Sequence, residues 1–320
     1  MRVAVNWSGG KDCCLACYEA VMKGYEISTL LNFAFTDYGN FAPYSFSNVM
    51  KYMLTDSGKN TAHKISVISS LILRATAKYT PNSVSGPLKL MIRTVGSHTP
   101  KDVANIIGAV RINASRRMVP HEVSPEIVAL QAQAMGKPIV QKLVTWDTFD
   151  TQFKKAVREM DPKDVEGGIV WGMIPPDTLL DHPRKMKKYM NLKVQYDWIN
   201  KLCLDLGINA IMPLLEKTPE QILRELVEKG FEAIVVVVNP EFVDEKWLGH
   251  RIDKEFITEA IRLNRKEGMH IAGDEYHSLV LDCPLFKKRI QVLESRKVSK
   301  DGYSILEIST AKLVEKDKNN

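Results

Sequence analysis

The sequence predicts an α/β protein built on a Rossmann-like parallel sheet with flanking helices. Three observations predict it. Short apolar, β-branched runs alternate with segments of helical apolar spacing, the pattern of repeated strand–helix–strand units. The first unit runs from Val3-Ala4-Val5-Asn6-Trp7 through Ser8-Gly9-Gly10-Lys11-Asp12, a strand that turns through glycines into a helix. Hydrophobic residues make up 45% of the 320 residues, enough for a sizeable core.

The elements follow in order. After a helix over 11–23 comes a strand over 26–35. A helix is placed at 125–135, with Ser124 as N-cap, Pro125 at the first helical position and Gly136 as its stop. A strand at 137–145, a helix at 149–160 and a strand through 168–174 come next. A helix at 196–206, ended by Gly207, leads into a strand at 209–214. A smaller C-terminal α/β part begins near Pro213, giving expected domains 1–212 and 213–320. There, Thr218-Pro219-Glu220-Gln221 starts a helix that runs to Gly230. A buried strand over 231–239, a helix over 253–266 and two strands flanking Tyr276 follow. Alternation over 289–314, with Lys300-Asp301-Gly302 as the turn, predicts a terminal β-hairpin. Residues 36–117 interrupt this rhythm. The spacings of Ile65, Ile68, Leu71, Ile72 and Ala75, and of Val103, Ile106, Ile107 and Val110, predict a mostly helical insertion.

The net charge of +6 permits a nucleic acid or an acidic protein as partner without demanding one. Much of the excess sits in runs such as Arg184-Lys185-Met186-Lys187-Lys188, which also suit a solvated surface. The apolar stretch 233–238 is far too short to span a bilayer. Met1-Arg2 leads straight into a strand, so no signal peptide and no membrane contact are expected. Five unevenly placed cysteines predict a reduced, cytoplasmic protein. Cys14 and Cys17 have C-x-x-C spacing, but a zinc site needs more ligands than the sequence offers nearby. Cys13, Cys14 and Cys17 read better as small side chains on the inner face of the first helix.

The glycine turn is a phosphate-binding device. Gly9 and Gly10 let backbone N–H groups approach a phosphate without Cβ interference. The following helix N-terminus adds unpaired donors and partial positive charge. Lys11 adds a full charge, and Asp12 can hold a hydrated Mg²⁺. A Walker A loop needs four residues between its glycines and then Lys with Ser or Thr, so this loop is not one.

Ser8-Gly9-Gly10-Lys11-Asp12 instead resembles the pyrophosphate loop (PP-loop) of N-type ATP pyrophosphatases, with Cys13 where a serine is common. Further motifs narrow the resemblance. They are His121 with Leu130-Gln131-Ala132-Gln133-Ala134-Met135-Gly136, then Thr145-Trp146-Asp147-Thr148, then Trp247-Leu248-Gly249-His250-Arg251-Ile252-Asp253. The last is Glu275-Tyr276-His277-Ser278 with Asp282-Cys283-Pro284-Leu285-Phe286. In this order, over residues 1–35 and roughly 118–292, the chain resembles the diphthine–ammonia ligase family. The resemblance implies an ATP-dependent, amide-forming ligase that adenylates a carboxylate, releases AMP and pyrophosphate, and lets ammonia attack. It implies ATP and Mg²⁺ as cofactors, and ammonium and elongation factor 2 carrying diphthine as partners. Ser8, Gly9, Gly10, Lys11, Asp12 and His121 would bind nucleotide, Asp12 the metal, and Lys11, Glu275 and His277 would be catalytic. Trp146 and Trp247 read as core or domain-interface aromatics rather than base-stacking groups.

The chain departs from the family pattern in two places. Met173 follows Gly172 where the family has an aspartate, and Ala272 stands where it has the first glutamate of a glycine-rich acidic turn. Two other functions stay open, the first on the cysteines and the basic charge, the second on Met173 and Ala272. One is a PP-loop tRNA-modifying enzyme that activates a base by adenylation or thiolates it. The other is an ATP-binding regulatory paralogue without turnover. A second copy of the chain, in a homodimer, is a further candidate partner.

Overall fold

The computed structural model describes residues 1–35, 123–145, 148–174, 195–267, 269, 271, 275–300 and 302–316. The insertion at 36–117, His121, Trp146 and the basic run at 184–188 lie outside the described residues.

Strands β1 (Arg2–Asn6), β2 (Glu26–Phe35), β3 (Ile139–Val144), β4 (Ile169–Val170) and β5 (Ala210–Ile211) form a parallel sheet in the order β3-β2-β1-β4-β5. The order reverses beside β1, so the loop leaving β1 lies at the crevice where doubly wound sheets hold ligands. Alternation along the strands feeds two cores. Val3, Val5, Leu30 and Val170 face one cluster, whereas Ala4, Leu31 and Ile169 face the other. Such burial on both faces is why these strands read as unbroken apolar runs.

Helices α1 (Lys11–Met22) and α2 (Pro125–Met135) cover the first face. Helix α3 (Phe149–Arg158) and α4, residues 195–204, cover the second, where Phe149, Phe153, Ile199 and Leu202 pack on Trp171. The α2 boundaries follow from its caps. The Ser124 side chain accepts the Ile127 N–H, and Gly136 takes the left-handed conformation at φ +69°. Strands β4 and β5 are shorter than the sequence predicts, two residues each. Beyond Val170 the chain must pass the start of α1, against which Gly172 lies, and Trp171 continues toward β5 with its N–H to the Ile211 carbonyl at 2.8 Å.

The C-terminal part begins after a short 3-10 turn, Pro213–Glu216. It contains α5 (Pro219–Glu228), β6 (Glu232–Val238), α6 (Lys254–Glu267), β7 (Tyr276–Asp282), β8 (Arg289–Lys300) and β9 (Tyr303–Val314). Its sheet is antiparallel, ordered β7-β6-β9-β8, and ends in the expected hairpin. Of the two strands expected around Tyr276, only β7 occurs among the described residues. Thr218 and Gln221 form the reciprocal capping box that the sequence predicts for α5. Trp247 is buried edge-on to Phe256 at 5.2 Å, a core aromatic. Among the described residues, no helix is long and apolar enough to cross a membrane.

One apolar core runs through α1, α2 and the C-terminal sheet. A half-buried ion network supports the junction. Lys217 bonds Glu225 at 2.8 Å and Glu19 of α1 at 3.5 Å, and Lys229 bonds Glu225 at 2.6 Å and Glu19 at 3.2 Å. Burial alone raises the Glu225 carboxyl, but its bonds to Lys217 and Lys229 outweigh this and hold it below the usual range. Lys229 is likewise held above its ordinary value, its bonds to Glu225 and Glu19 outweighing burial. A depressed carboxyl adds stability above its unfolded value, about pH 4.3, and loses it as pH falls through the folded value. A raised ammonium adds stability below about pH 10.4 and loses it as pH rises beyond. The melting temperatures of wild type and Glu225→Gln should therefore differ by a constant amount at neutral pH. That difference should shrink below about pH 4 and again above about pH 10.5. A difference independent of pH would show that the network adds nothing.

Candidate functional site at the glycine loop

β1 ends at Asn6 and α1 starts at Lys11, so four residues make the turn. Gly9 carries the conformational demand, with φ +82°. A Cβ there would also lie 2.5 Å from Gln131 Oε1. Gly10 is the helix N-cap at φ −80°, ψ 170°, a conformation open to any residue, so only one of the two glycines is needed for backbone shape.

Three elements clamp the loop. The Asn32 side chain donates to the Trp7 carbonyl at 2.9 Å, and the Trp7 N–H donates to the Leu31 carbonyl at 2.8 Å. From α2, the fully buried Gln131 accepts the Trp7 indole N–H at 2.9 Å. Gln131 Nε2 also donates to the carbonyls of Gly9 at 2.9 Å and Val280 at 2.8 Å. From β7, the edge strand of the C-terminal sheet, the Val280 N–H donates to the Gly9 carbonyl at 3.0 Å. The Lys11 N–H, first in the helix, donates to Ser278 Oγ at 3.1 Å. The glycine loop and the C-terminal sheet thus share backbone hydrogen bonds.

Lys11 is 3% exposed. Its Nζ lies 2.9 Å from Asp12 Oδ2 and 4.9 Å from the centre of the Tyr276 ring. A buried ammonium is tolerated because a carboxylate and an aromatic face compensate it. Tyr276 is 1% exposed and donates its hydroxyl to the Ile271 carbonyl at 3.0 Å. Burial, then the carboxylates of Asp12 and Glu275, push its phenol well up, so it stays a donor.

The structure therefore brings Ser8, Gly9, Gly10, Lys11 and Asp12 together with Tyr276 and Ser278. Glu275 is buried next to Tyr276, and its carbonyl accepts the Asn239 N–H at 2.8 Å. His277 alternates with Tyr276 and Ser278 along β7, so its side chain leaves the opposite face of the strand. Residues 272–274 lie outside the described residues. Tyr276, Ser278 and Gln131 were not assigned roles from the sequence. The signal for the first two was present, because residues two apart on a strand share a face.

The cysteines of α1 are buried against the apolar core, as expected of small inner-face side chains. Burial pushes the thiols of Cys14 and Cys17 well up, which leaves them inert. Cys13 differs. Burial raises its thiol, but hydrogen bonds from Cys14, Ser8 and the loop backbone outweigh this and lower it. It accepts from Ser8 Oγ at 3.4 Å and donates to the Gly10 carbonyl at 3.2 Å, bracing the turn from inside.

Gly172 passes closest to the helix start. A Cβ there would lie 2.5 Å from the Cys13 nitrogen and 2.7 Å from the Asp12 carbonyl carbon. Backbone cannot yield as a flexible side chain would. Gly172→Ala should cost about 1–3 kcal/mol by overpacking and shift the first turn of α1. Titration calorimetry with ATP should then show at least about tenfold weaker binding, since 1.4 kcal/mol is tenfold. Wild-type affinity in that variant would mean that the helix start does not hold the ligand. Met173 turns to the opposite side, buried in the cluster of Trp171, Phe153 and Leu202.

The loop can take a phosphate chain. It offers a strand-to-helix turn, a glycine whose Cβ would clash, a helix N-terminus and a lysine. Asp12 Oδ2 presently holds Lys11, and one carboxylate with phosphate oxygens and water is the usual company of Mg²⁺.

The fold is a doubly wound parallel sheet with a glycine–lysine turn after its first strand, the architecture that the sequence predicts. Residues 218–314 match the family model of the diphthamide synthase C-terminal domain. Diphthine–ammonia ligase of Homo sapiens is 28% identical over 190 residues, covering 53% of this chain and 64% of that protein. The Rattus norvegicus ligase is 33% identical over the same shares of each chain, 53% and 64%. The Schizosaccharomyces pombe ligase is 37% identical over 31% of this chain and 16% of its own length. These matches bear out the resemblance to the diphthine–ammonia ligase family, and the chain spans just under two thirds of the human protein (64%). A predicted tRNA methyltransferase subunit from Methanocaldococcus jannaschii overlaps 89% of this chain and 98% of its own at 12% identity. Its TM-score of 0.34 is too low to bear on function.

Proposed function

We propose that this protein is an ATP-dependent amide-forming ligase that acts in diphthamide synthesis, with diphthine on elongation factor 2 as acceptor and ammonia as nitrogen donor. One observation carries the reading. The edge strand of the part that matches a diphthamide synthase domain is hydrogen-bonded directly to the glycine loop, through Ser278 to Lys11 and Val280 to Gly9. Nucleotide chemistry and acceptor would then meet at one seam.

A carboxylate does not react usefully with ammonia, because its oxygens leave poorly. Mg-ATP would supply an adenylyl group and a good leaving group. The acceptor carboxylate oxygen forms a bond to the α-phosphorus as the bond to the bridging oxygen of pyrophosphate breaks. Backbone N–H groups of the loop and Lys11 would hold the charge that grows on pyrophosphate. Ammonia then forms the C–N bond, AMP leaves with the former carboxylate oxygen, and the extra proton passes to a base. Asp12 would hold Mg²⁺ together with the phosphates, and Glu275 is the candidate for orienting the acceptor or taking the proton, whereas His277 leaves the opposite face of β7 and would meet only an acceptor that reaches around the strand. His121 remains a candidate nucleotide contact.

The test is a product assay with the purified chain, Mg-ATP, ammonium and diphthine-bearing elongation factor 2. AMP, pyrophosphate and an acid-to-amide mass change on the factor are expected. ADP would overturn the loop assignment. AMP without the mass change would overturn the acceptor, and RNA would be tried next. A second reading, an ATP-binding regulator without turnover, is favoured by Met173, whose side chain is buried among aromatics where the family has a carboxylate. ATP binding with no AMP under any acceptor would support it.

A further inference from the structure

We infer that Ser278 is a phosphate-binding residue of the glycine loop, supplied by the C-terminal sheet: its oxygen takes the first N–H of α1, and its proton donates to an oxygen of the nucleotide's pyrophosphate half. The inference rests on the ligase reading above and adds a binding residue to its nucleotide site. It starts from an incomplete cap. Helix α1 has Gly10 at its N-cap, with no side chain to bond the first N–H groups. The Ser278 hydroxyl does this instead, accepting from the Lys11 N–H at 3.1 Å. Its place on β7 is fixed from both sides. Two residues on, the Val280 N–H donates to the Gly9 carbonyl at 3.0 Å. Two residues back, on the same strand face, the Tyr276 ring lies 4.9 Å from the Lys11 ammonium.

A serine hydroxyl offers lone pairs and one proton. Lys11 uses a lone pair. The proton finds no acceptor among the described residues, although Ser278 is only 1% exposed. A buried O–H without an acceptor is costly, and folded proteins keep few of them. The surroundings set the charge of the acceptor that is missing. A helix N-terminus and the Lys11 ammonium both favour an anion. Ser8, the hydroxyl within the loop itself, is already engaged. It accepts the Gly10 N–H at 3.4 Å and donates to Cys13 Sγ at 3.4 Å. Cys13 in turn donates to the Gly10 carbonyl at 3.2 Å, so the thiol is spent inside the turn. Of these groups, Ser278 is the one with a proton left for a phosphate oxygen. A bond from a neutral hydroxyl to a charged oxygen also strengthens as charge grows on departing pyrophosphate.

The experiment compares wild type, Ser278→Ala and Ser278→Thr in the full chain. Titration calorimetry with inorganic pyrophosphate and with AMP, both with Mg²⁺, is run beside urea unfolding. Ser278→Ala should bind pyrophosphate at least about tenfold more weakly, the scale of one hydrogen bond to a charged group, and AMP within about twofold of wild type. Ser278→Thr keeps the hydroxyl and should recover most of the pyrophosphate affinity. A hydroxyl that only caps α1 would lower the urea midpoint and weaken pyrophosphate and AMP by the same factor, and that result overturns the inference. So does wild-type pyrophosphate affinity in Ser278→Ala. Where the threonine methyl lowers the urea midpoint, the contrast between the two ligands in Ser278→Ala decides alone. Failure of wild type to bind either pyrophosphate or ATP would overturn the ligase reading and the inference with it. Binding by wild type without a selective loss in Ser278→Ala would overturn the inference alone.

Discussion

Replacing Lys11 by alanine is expected to slow formation of AMP and pyrophosphate from Mg-ATP by a factor of about 10²–10³, the usual cost of removing one preorganised group from a developing oxyanion. The reasoning starts from burial. Lys11 is 3% exposed, so its charge acts through little screening water. Its ammonium is fixed by Asp12 and by the Tyr276 ring before any ligand arrives, and so costs little reorganisation when charge moves onto pyrophosphate. The substitution also strips Asp12 of its 2.9 Å partner. Lys11→Met, which keeps the apolar stem, should therefore be measured beside it. If both variants keep the wild-type urea midpoint and both lose turnover, the charge is what matters. A Lys11→Ala enzyme that releases AMP at the wild-type rate would remove the loop from the chemistry.

How much of this was legible in the sequence depends on how local each determinant is. Helix α2 is set by Ser124, Pro125 and Gly136, all adjacent to it, and its predicted limits match. Helix α5 and the terminal hairpin are equally local, fixed by a capping box and by a two-residue turn. Strand β4 is shorter than the sequence predicts because Gly172, just past it, meets the start of α1, and β5 pairs only with that short strand, a tertiary fact that no run of valine and isoleucine encodes. The strand expected ahead of Tyr276 falls largely on residues 268–274, of which only Met269 and Ile271 are described. At the site, the glycine loop was legible because its chemistry is contiguous. The partners from α2 and β7 were not, because Gln131, Ser278 and Val280 lie more than a hundred positions away. Gln131 sits on a helix whose apolar spacing gives no hint that its amide faces Trp7 and Val280. Alternation along β7 does point Tyr276 and Ser278 to one side, and motif likeness drew attention instead to Glu275 and His277.

Gln131→Leu should be the most destabilising single change at this seam, although it replaces one buried side chain by another of similar size. The wild-type amide satisfies the Trp7 indole N–H and the carbonyls of Gly9 and Val280. Leucine satisfies none of them. Gly9 would keep the Val280 N–H at 3.0 Å, but the indole N–H and the Val280 carbonyl would lose the partner that Gln131 gives them. Each buried polar group so stranded costs about 1–3 kcal/mol, about 2–6 kcal/mol together, against total stabilities of about 5–15 kcal/mol. The loss would fall on the loop itself, because the same amide holds Gly9 against β7. Urea unfolding should therefore show a lower midpoint with an unchanged slope, and ATP affinity should fall at denaturant concentrations where the chain is still folded. Gln131→Glu separates shape from hydrogen bonding. The carboxylate keeps an acceptor for Trp7 but sets an oxygen against two carbonyls, so it should destabilise at neutral pH and recover partly in acid, when a protonated carboxyl can donate once. A leucine variant as stable as wild type would mean that the seam is held by apolar packing, and that the hydrogen bonds joining the glycine loop to the C-terminal sheet follow from that packing rather than enforce it.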